Sequence, residues 1–119
     1  MKTTFFGLLI ILITTITLPA IANPLSLKVT GESPTEYHCD DGSKITATYY
    51  ELSDKSLQFV KLNMKQQEHT LPALIAASGT RYSDSYRYQW WIKGHSATLT
   101  MDLSKQDQKS VECTSSRRR

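Results

Sequence analysis

Apolar side chains recur at every second position over most of the chain between residues 35 and 113, which is the spacing of strands with one buried face. In residues 44–51, Ile45, Ala47 and Tyr49 alternate with Thr46, Thr48 and Tyr50. Turn residues at 40–43 (Asp-Asp-Gly-Ser) separate this strand from another at 35–39 and predict a hairpin. Further strands are predicted at 57–64, within 65–77 after a turn, and at 109–113.

The clearest alternation lies in residues 86–103, where it predicts a long hairpin that turns around Lys93-Gly94-His95. One face of its first strand is predicted to be buried and the other to be polar. The buried face carries Tyr86, Tyr88, Trp90 and Ile92, and the polar face carries Arg87, Gln89, Trp91 and Lys93. In the second strand Ala97, Leu99, Met101 and Leu103 are apolar, while Ser96, Thr98, Thr100 and Asp102 are polar.

Trp91 stands out because it shares the polar face with two cations. An exposed tryptophan beside cations indicates a contact surface. The alternative is a barrel strand with both faces partly covered.

No segment has a helical period, and the mature chain is short. Pro72 is predicted to prevent an uninterrupted ladder in its strand. Several short antiparallel strands in fewer than 100 residues indicate an all-β domain, either a small closed barrel or a sandwich.

The first 22 residues have the composition of a secretory signal peptide. One early lysine precedes an apolar run that is short for a membrane span, and Ala20-Ile21-Ala22 fits signal peptidase. We therefore expect cleavage after Ala22, with an uncleaved anchor as the alternative. Residues 23–35 are predicted to be a flexible leader, 36–114 the domain, and 115–119 a basic tail.

The charge of the mature chain is small. Without Lys2 it carries 13 basic and 11 acidic residues, a net charge of +2. Three of the basic residues are the terminal arginines 117–119. Nucleic-acid binding needs a concentrated basic face, so we do not expect a nucleic-acid partner.

Cys39 and Cys113 are the only cysteines of the chain. An even number in an exported chain favours a disulfide, which would place the first and last strands of the domain side by side. Two free thiols or half of a metal site are the alternatives.

The residues offer few signs of catalysis or metal binding. The three histidines lack the spacing of metal ligands, and no phosphate loop or nucleophile elbow is present. We expect no cofactor and no metal. Serine and lysine can form a hydrolytic dyad, but Ser78 and Lys93 each precede a glycine in a predicted turn, where a lysine stays charged.

Taken together, several short motifs resemble the bacterial inhibitors of C-type lysozyme, the membrane-bound MliC and periplasmic PliC forms. Three groups match in order: Tyr37, Cys39 and Gly42; Ser78, Gly79 and Tyr82; and Trp90, Lys93, Gly94 and Ala97. They end with Cys113. Because no cysteine follows the apolar run, the sequence resembles the soluble periplasmic branch.

The resemblance implies an eight-stranded antiparallel barrel that inserts loops into the active-site cleft of lysozyme and protects peptidoglycan. It implies that Ser78 and Lys93 contact the two catalytic carboxyl groups of lysozyme. Neighbouring positions expected in the contact are Gly79, Thr80, Arg81, Tyr82 and Gly94. A periplasmic ligand-binding barrel and a Ser/Lys hydrolase are the alternatives, and the oligomeric state stays open.

Overall fold

The structure is a computed structural model that describes residues 7, 9–21 and 26–116. Residues 9–21 form neither helix nor strand, and their large apolar side chains are exposed. Among the described residues, no helix has the length and apolar character needed to cross a membrane. The predicted cleavage site after Ala22 and the arginines 117–119 lie outside the described residues, so the signal peptide, leader and tail stay predictions.

The described domain is built from nine strands. In chain order they are β1 (Val29–Gly31), β2 (Thr35–Cys39), β3 (Lys44–Leu52), β4 (Gln58–Met64), β5 (Gln67–Leu74), β6 (Thr80–Ser83), β7 (Tyr88–Lys93), β8 (Ser96–Met101) and β9 (Lys109–Ser115).

All strand pairs are antiparallel, and eight strands close into a barrel. The order is β3-β2-β9-β8-β7-β6-β5-β4, and β4 pairs with β3 to complete the ring. β1 is an extra strand beside the second half of β3, where Val29 pairs with Leu52. The structure thus confirms the all-β class and selects the barrel over the sandwich.

The two cysteines form the expected disulfide between the first and last strands of the barrel. Cys39 of β2 lies directly opposite Cys113 of β9, and the bridge spans 74 positions of sequence. Cross-linking so distant positions restricts the unfolded chain and stabilises the fold by about 4 kcal/mol in the loop-entropy account.

Alternating side chains fill the barrel interior, and Trp90 lies at its centre, fully buried. The indole Nε1–H of Trp90 donates to the Tyr49 hydroxyl at 2.9 Å, and the hydroxyls of Tyr37 and Tyr49 lie 3.1 Å apart. The ring of Tyr37 meets Trp90 edge-on, with centroids 4.9 Å apart. The polar atoms of Trp90, Tyr49 and Tyr37 thereby have hydrogen-bond partners inside the core.

The barrel has two ends, which we call the upper and lower rims. The strand register places three connections on the upper rim and four on the lower rim. The upper rim consists of residues 53–57, 75–79 and 94–95, and the lower rim of residues 40–43, 65–66, 84–87 and 102–108. Residues 32–34 join β1 to β2 alongside the middle of β3, where the Glu32 amide donates to the Tyr49 carbonyl.

The predicted hairpin exists, but it is shorter than the alternation suggested. β7 begins at Tyr88, and Tyr86 is 63% exposed in the 84–87 loop, so its prediction as buried scaffold was wrong. The Asp84 carboxylate accepts hydrogen bonds from three amides of this loop and draws the chain out of the strand. At the other end, β8 stops at Met101, and Asp102 has φ +59°.

Two strands were not predicted from the sequence. β6 was read only as the region after a Ser78-Gly79 turn, and β1 lies within the predicted leader. β5 runs through Pro72, which pairs with Phe59 of β4. On its other side β5 pairs with β6 only at Ala73 and Leu74.

Candidate functional site

Ser78 and Lys93 lie close together at the upper rim, although Ser78 belongs to the 75–79 connection and Lys93 is the last residue of β7. β6 and β7 pair with Thr80 opposite Ile92, so the next position places Gly79 opposite Lys93. A Cβ at Gly79 would overlap the Ile92 carbonyl oxygen and lie 3.0 Å from Cγ of Lys93. The backbone of the Ser78 loop therefore rests directly on the end of β7.

Glycine is required locally at both turns of this site. Gly79 has φ +67° and Gly94 has φ +61°, in the left-handed region that other residues rarely adopt. Gly94 and His95 form a two-residue turn between Lys93 and Ser96, and a positive φ at the first central position is the glycine position of such hairpins. This turn projects Lys93 at the end of its strand.

Trp91 links the Ser78 loop to Lys93. Its indole Nε1–H donates to the backbone carbonyl of Ser78 at 2.8 Å. Its ring carries the Lys93 ammonium, with Nζ 4.7 Å from the centroid, within the range of a cation–π contact. A half-buried tryptophan on the outer face thus touches both of the residues singled out by motif.

Arg81 lies beside the same tryptophan and reaches the start of the loop. Its guanidinium carbon is 5.9 Å from the Trp91 centroid, and its Nη2 donates to the Ile75 carbonyl at 3.4 Å. The expectation that Arg87 shares this face was wrong. Arg87 lies over Tyr88 at the lower rim, at 5.2 Å, because the chain turns away before β7 begins.

The structure separates the predicted site residues into exposed and buried sets. Ser78, Gly79, Lys93 and Gly94 are exposed, and Thr80 and Arg81 are half-buried. The seventh predicted residue, Tyr82, is only 4% exposed and packs against Tyr49 with centroids 5.6 Å apart. Tyr82 therefore supports the site from the core. The exposed residues of the set are the ones accessible to a partner.

Lys93 is available for a partner of opposite charge. In the described part of the chain, lysines 44, 61 and 105 form ion pairs with carboxylates, and Lys93 forms none. Within the same residues no hydrogen bond involves the Ser78 hydroxyl, since the loop is held through the Ser78 carbonyl. A cation and a hydroxyl group thus face solvent next to each other.

The upper rim also carries exposed apolar side chains. Of the exposed large hydrophobic residues in 26–116, Tyr86 is at the lower rim, and the others lie at or beside the upper rim: Leu27, Val29, Leu57, Leu74 and Ile75. Ile75 belongs to the same loop as Ser78 and is 97% exposed. Exposed apolar side chains gathered at one end of a barrel favour a surface that binds another protein.

One carboxyl group of the upper rim has a perturbed pKa. The Ser56 hydroxyl and then the Ser56 amide donate to Asp54 and hold the pKa of this exposed carboxyl below its ordinary value. These bonds shape the 53–57 turn and do not involve Ser78 or Lys93. Among the described residues, no three His, Cys, Asp or Glu side chains are grouped as metal ligands.

Comparison with known proteins agrees with the motifs on this rim. The sequence model of the family described as membrane-bound lysozyme-inhibitor of c-type lysozyme (MliC) matches residues 37–108, which run from β2 to the start of β9 and include both turns. The chain belongs to the MliC family. The resemblance inferred from the motifs is thereby confirmed.

Two curated relatives carry the name membrane-bound lysozyme inhibitor of C-type lysozyme. The protein from Pseudomonas aeruginosa is 36% identical over 67 residues, and the protein from Yersinia enterocolitica is 38% identical over 66 residues. Each match covers 56% of this chain and 51% of the relative. The chain thus matches about half the length of these MliC relatives.

The motifs did not reveal that Trp91 contacts both Ser78 and Lys93. The matching motif contains Trp90, which is a core residue, and not its neighbour. The sequence did contain a signal, because a tryptophan on the polar face of a strand next to Lys93 is unusual. That signal indicated a contact surface, and it did not reveal the hydrogen bond to Ser78.

Proposed function

We propose that this protein inhibits C-type lysozyme by placing the upper rim of the barrel in the active-site cleft. In this proposal the Lys93 ammonium pairs with the ionised catalytic carboxylate, and the Ser78 hydroxyl bonds to the other carboxyl group. The observation that carries the proposal is the adjacency of an exposed serine and an exposed lysine on neighbouring strand ends, in a chain of the MliC family.

The spacing of the two groups suits the target. Neighbouring strands lie about 4.8 Å apart. The two carboxyl groups of a retaining glycosidase such as lysozyme are about 5–5.5 Å apart. Lys93 ends β7, and Ser78 lies two residues before the paired strand β6. The backbone spacing of the two segments is therefore of the same order as the separation of the carboxyl groups, which supports contact with both.

The chemistry of the two residues also suits the target. In lysozyme one carboxyl group has a raised pKa and acts as the general acid, while its partner stays ionised. An ammonium group recognises the ionised partner. A hydroxyl group both donates and accepts, so it fits a carboxyl group in either protonation state. Occupying both groups would remove the acid and the nucleophile that catalysis requires.

Exposed apolar side chains of the upper rim supply the rest of the interface in this proposal. Charge-assisted hydrogen bonds contribute about 1.5–3 kcal/mol each, which is too little for tight binding by two contacts. Ile75, on the same loop as Ser78, is placed to bury apolar surface at the edge of the contact.

The same geometry favours inhibition over the two alternatives. A serine–lysine hydrolase needs a lysine that burial keeps neutral, whereas Lys93 is exposed. A ligand-binding barrel needs space at its centre, whereas the fully buried side chains of Trp90, Tyr37 and Leu62 occupy the middle of this barrel. We therefore propose that the protein acts as an inhibitor and not as an enzyme.

We further propose that the protein acts in the periplasm of a Gram-negative bacterium as a soluble chain. The sequence has no cysteine after the apolar run to carry a lipid. Release by osmotic shock is the expected result of cell fractionation, and recovery in the membrane pellet would contradict this placement.

The experiment that tests the function is a titration of purified protein into a lysis assay with a C-type lysozyme. Lysis of peptidoglycan should fall to background once the protein is in molar excess over lysozyme. Undiminished lysis at a large excess of folded protein would refute the proposal.

A further inference from the structure

Trp91 occupies a position that neither the family motif nor the proposed contacts explain. Its side chain is half-buried on the outer face of β7 and points away from the core formed by Trp90 and Ile92. It nevertheless makes a hydrogen bond to the Ser78 carbonyl at 2.8 Å and a ring contact with Lys93 at 4.7 Å. One side chain therefore touches both groups that the proposed function requires.

We propose that Trp91 is the positioning residue of the lysozyme-binding surface, and this inference rests on the proposed function. The indole N–H fixes the Ser78 loop, and the indole ring holds the Lys93 ammonium. Trp91 thus sets the separation between the two contacts before lysozyme arrives. Without it, each group would have to be ordered during binding, at a cost in affinity.

The loop depends on such a fixed point because little else holds it. The 75–79 segment connects β5 to β6, and these two strands pair with each other at only two residue pairs. Its start is bonded at the Ile75 carbonyl by Arg81, with a long distance of 3.4 Å. Its end is bonded at the Ser78 carbonyl by Trp91 at 2.8 Å. The shorter bond lies next to the proposed contact residue.

The ring contact restrains the Lys93 side chain instead of the loop backbone. A lysine side chain at a strand end samples many rotamers, and holding it costs side-chain entropy. The face of an aromatic ring attracts the ammonium and limits this freedom. The side chain stays exposed, so Lys93 is restrained without being withdrawn from a partner.

Two substitutions of Trp91 separate these roles in the free protein. Trp91→Phe keeps an aromatic ring and removes the N–H donor, while Trp91→Leu removes both. In NMR spectra, the Lys93 side-chain protons should show an upfield ring-current shift in the wild type and in Trp91→Phe, and lose it in Trp91→Leu. Amide exchange in residues 77–79 should accelerate in both variants.

Inhibition of a C-type lysozyme gives the second readout. Each lost interaction should weaken inhibition by about two- to fivefold, the ratio that corresponds to a contact of this kind at an exposed site. Trp91→Leu should therefore be weaker than Trp91→Phe. Arg87→Ala is the matched control, because it removes a cation from an aromatic ring at the lower rim and should leave inhibition unchanged.

A double-mutant cycle distinguishes positioning from direct contact with lysozyme. If Trp91 acts through Lys93, Trp91→Leu should cost less in a Lys93→Ala background than in the wild type. Equal costs in both backgrounds, or wild-type potency of Trp91→Leu, would overturn the positioning role while leaving inhibition itself established. Failure of the wild type to inhibit would refute the proposed function. The NMR spectra of the free protein would still show whether Trp91 holds the Ser78 loop and the Lys93 side chain.

Discussion

The backbone of Gly79 lies so close to that of Ile92 that a Cβ at residue 79 would overlap the Ile92 carbonyl oxygen. This contact brings the loop that carries Ser78 against the strand end that carries Lys93. Gly79 combines this close approach with a φ of +67°, so the geometry of the site depends on the backbone as much as on side chains.

We predict that Gly79→Ala destabilises the protein by roughly 2–4 kcal/mol, since it adds a steric overlap to an unfavourable φ. Gly94→Ala is the matched control. Gly94 also has a positive φ, but a Cβ there would meet no atom within 4 Å, so only a conformational cost of about 1 kcal/mol is expected. Denaturant unfolding of both variants measures the difference. Equal losses of stability would show that the close approach is unimportant.

The buried tyrosine hydroxyl at the centre of the barrel gives a second prediction. Tyr49→Phe removes the acceptor of the Trp90 indole N–H, which is fully buried. Leaving such a donor unsatisfied should cost about 1–3 kcal/mol of unfolding free energy. Tyr50→Phe removes a half-buried hydroxyl from the neighbouring residue and should change stability little. A similar effect of the two substitutions in thermal or denaturant unfolding would contradict the role of the network.

Acid should weaken the 84–87 loop at the lower rim. Partial burial of Asp84 opposes ionisation, but the amides of Tyr86, Tyr88 and Arg87 donate to the carboxylate and lower its pKa below the ordinary 3.8. A lowered folded-state pKa gives stability that is present above the unfolded value and is lost as the pH falls through the folded value.

The destabilisation caused by Asp84→Asn should therefore be greatest near neutral pH and shrink at a pH well below 3.8. Comparing variant with wild type at each pH cancels the similar contributions of Asp41 and Asp54. A cost of Asp84→Asn that does not change with pH would contradict this account. Inhibition of lysozyme should be unaffected near neutral pH, because the loop lies at the opposite rim from Ser78.

Much of the barrel was predictable because alternation of apolar and polar residues reports directly on strands with one buried face. β2, β3, β7 and β8 were found in this way, and the disulfide followed from the even cysteine count in a chain predicted to be exported. Alternation failed where local polar chemistry competed with it. The alternation continues through Tyr86, but the Asp84 carboxylate accepts hydrogen bonds from the backbone amides that follow it, so β7 begins only at Tyr88.

The site was only partly predictable for a related reason. Motif matching located Ser78 and Lys93, but no local pattern indicated that they lie side by side, since their proximity comes from the register of β6 and β7. Tyr82 belongs to the same motif as Ser78, yet its alternate position on β6 directs it into the core. Sequence motifs thus mix contact residues with the residues that support them.

Potency measurements on single alanine variants test the central claim most directly. Ser78→Ala and Lys93→Ala should each raise the inhibition constant for a C-type lysozyme by about ten- to a hundredfold, the ratio expected for a lost charge-assisted contact, without unfolding the domain. Ser104→Ala on the lower rim and Lys109→Ala at the adjoining start of β9 replace the same residue types at exposed positions and should retain wild-type potency. Wild-type potency of Ser78→Ala and Lys93→Ala would contradict the claim that the upper rim carries the lysozyme-binding contacts.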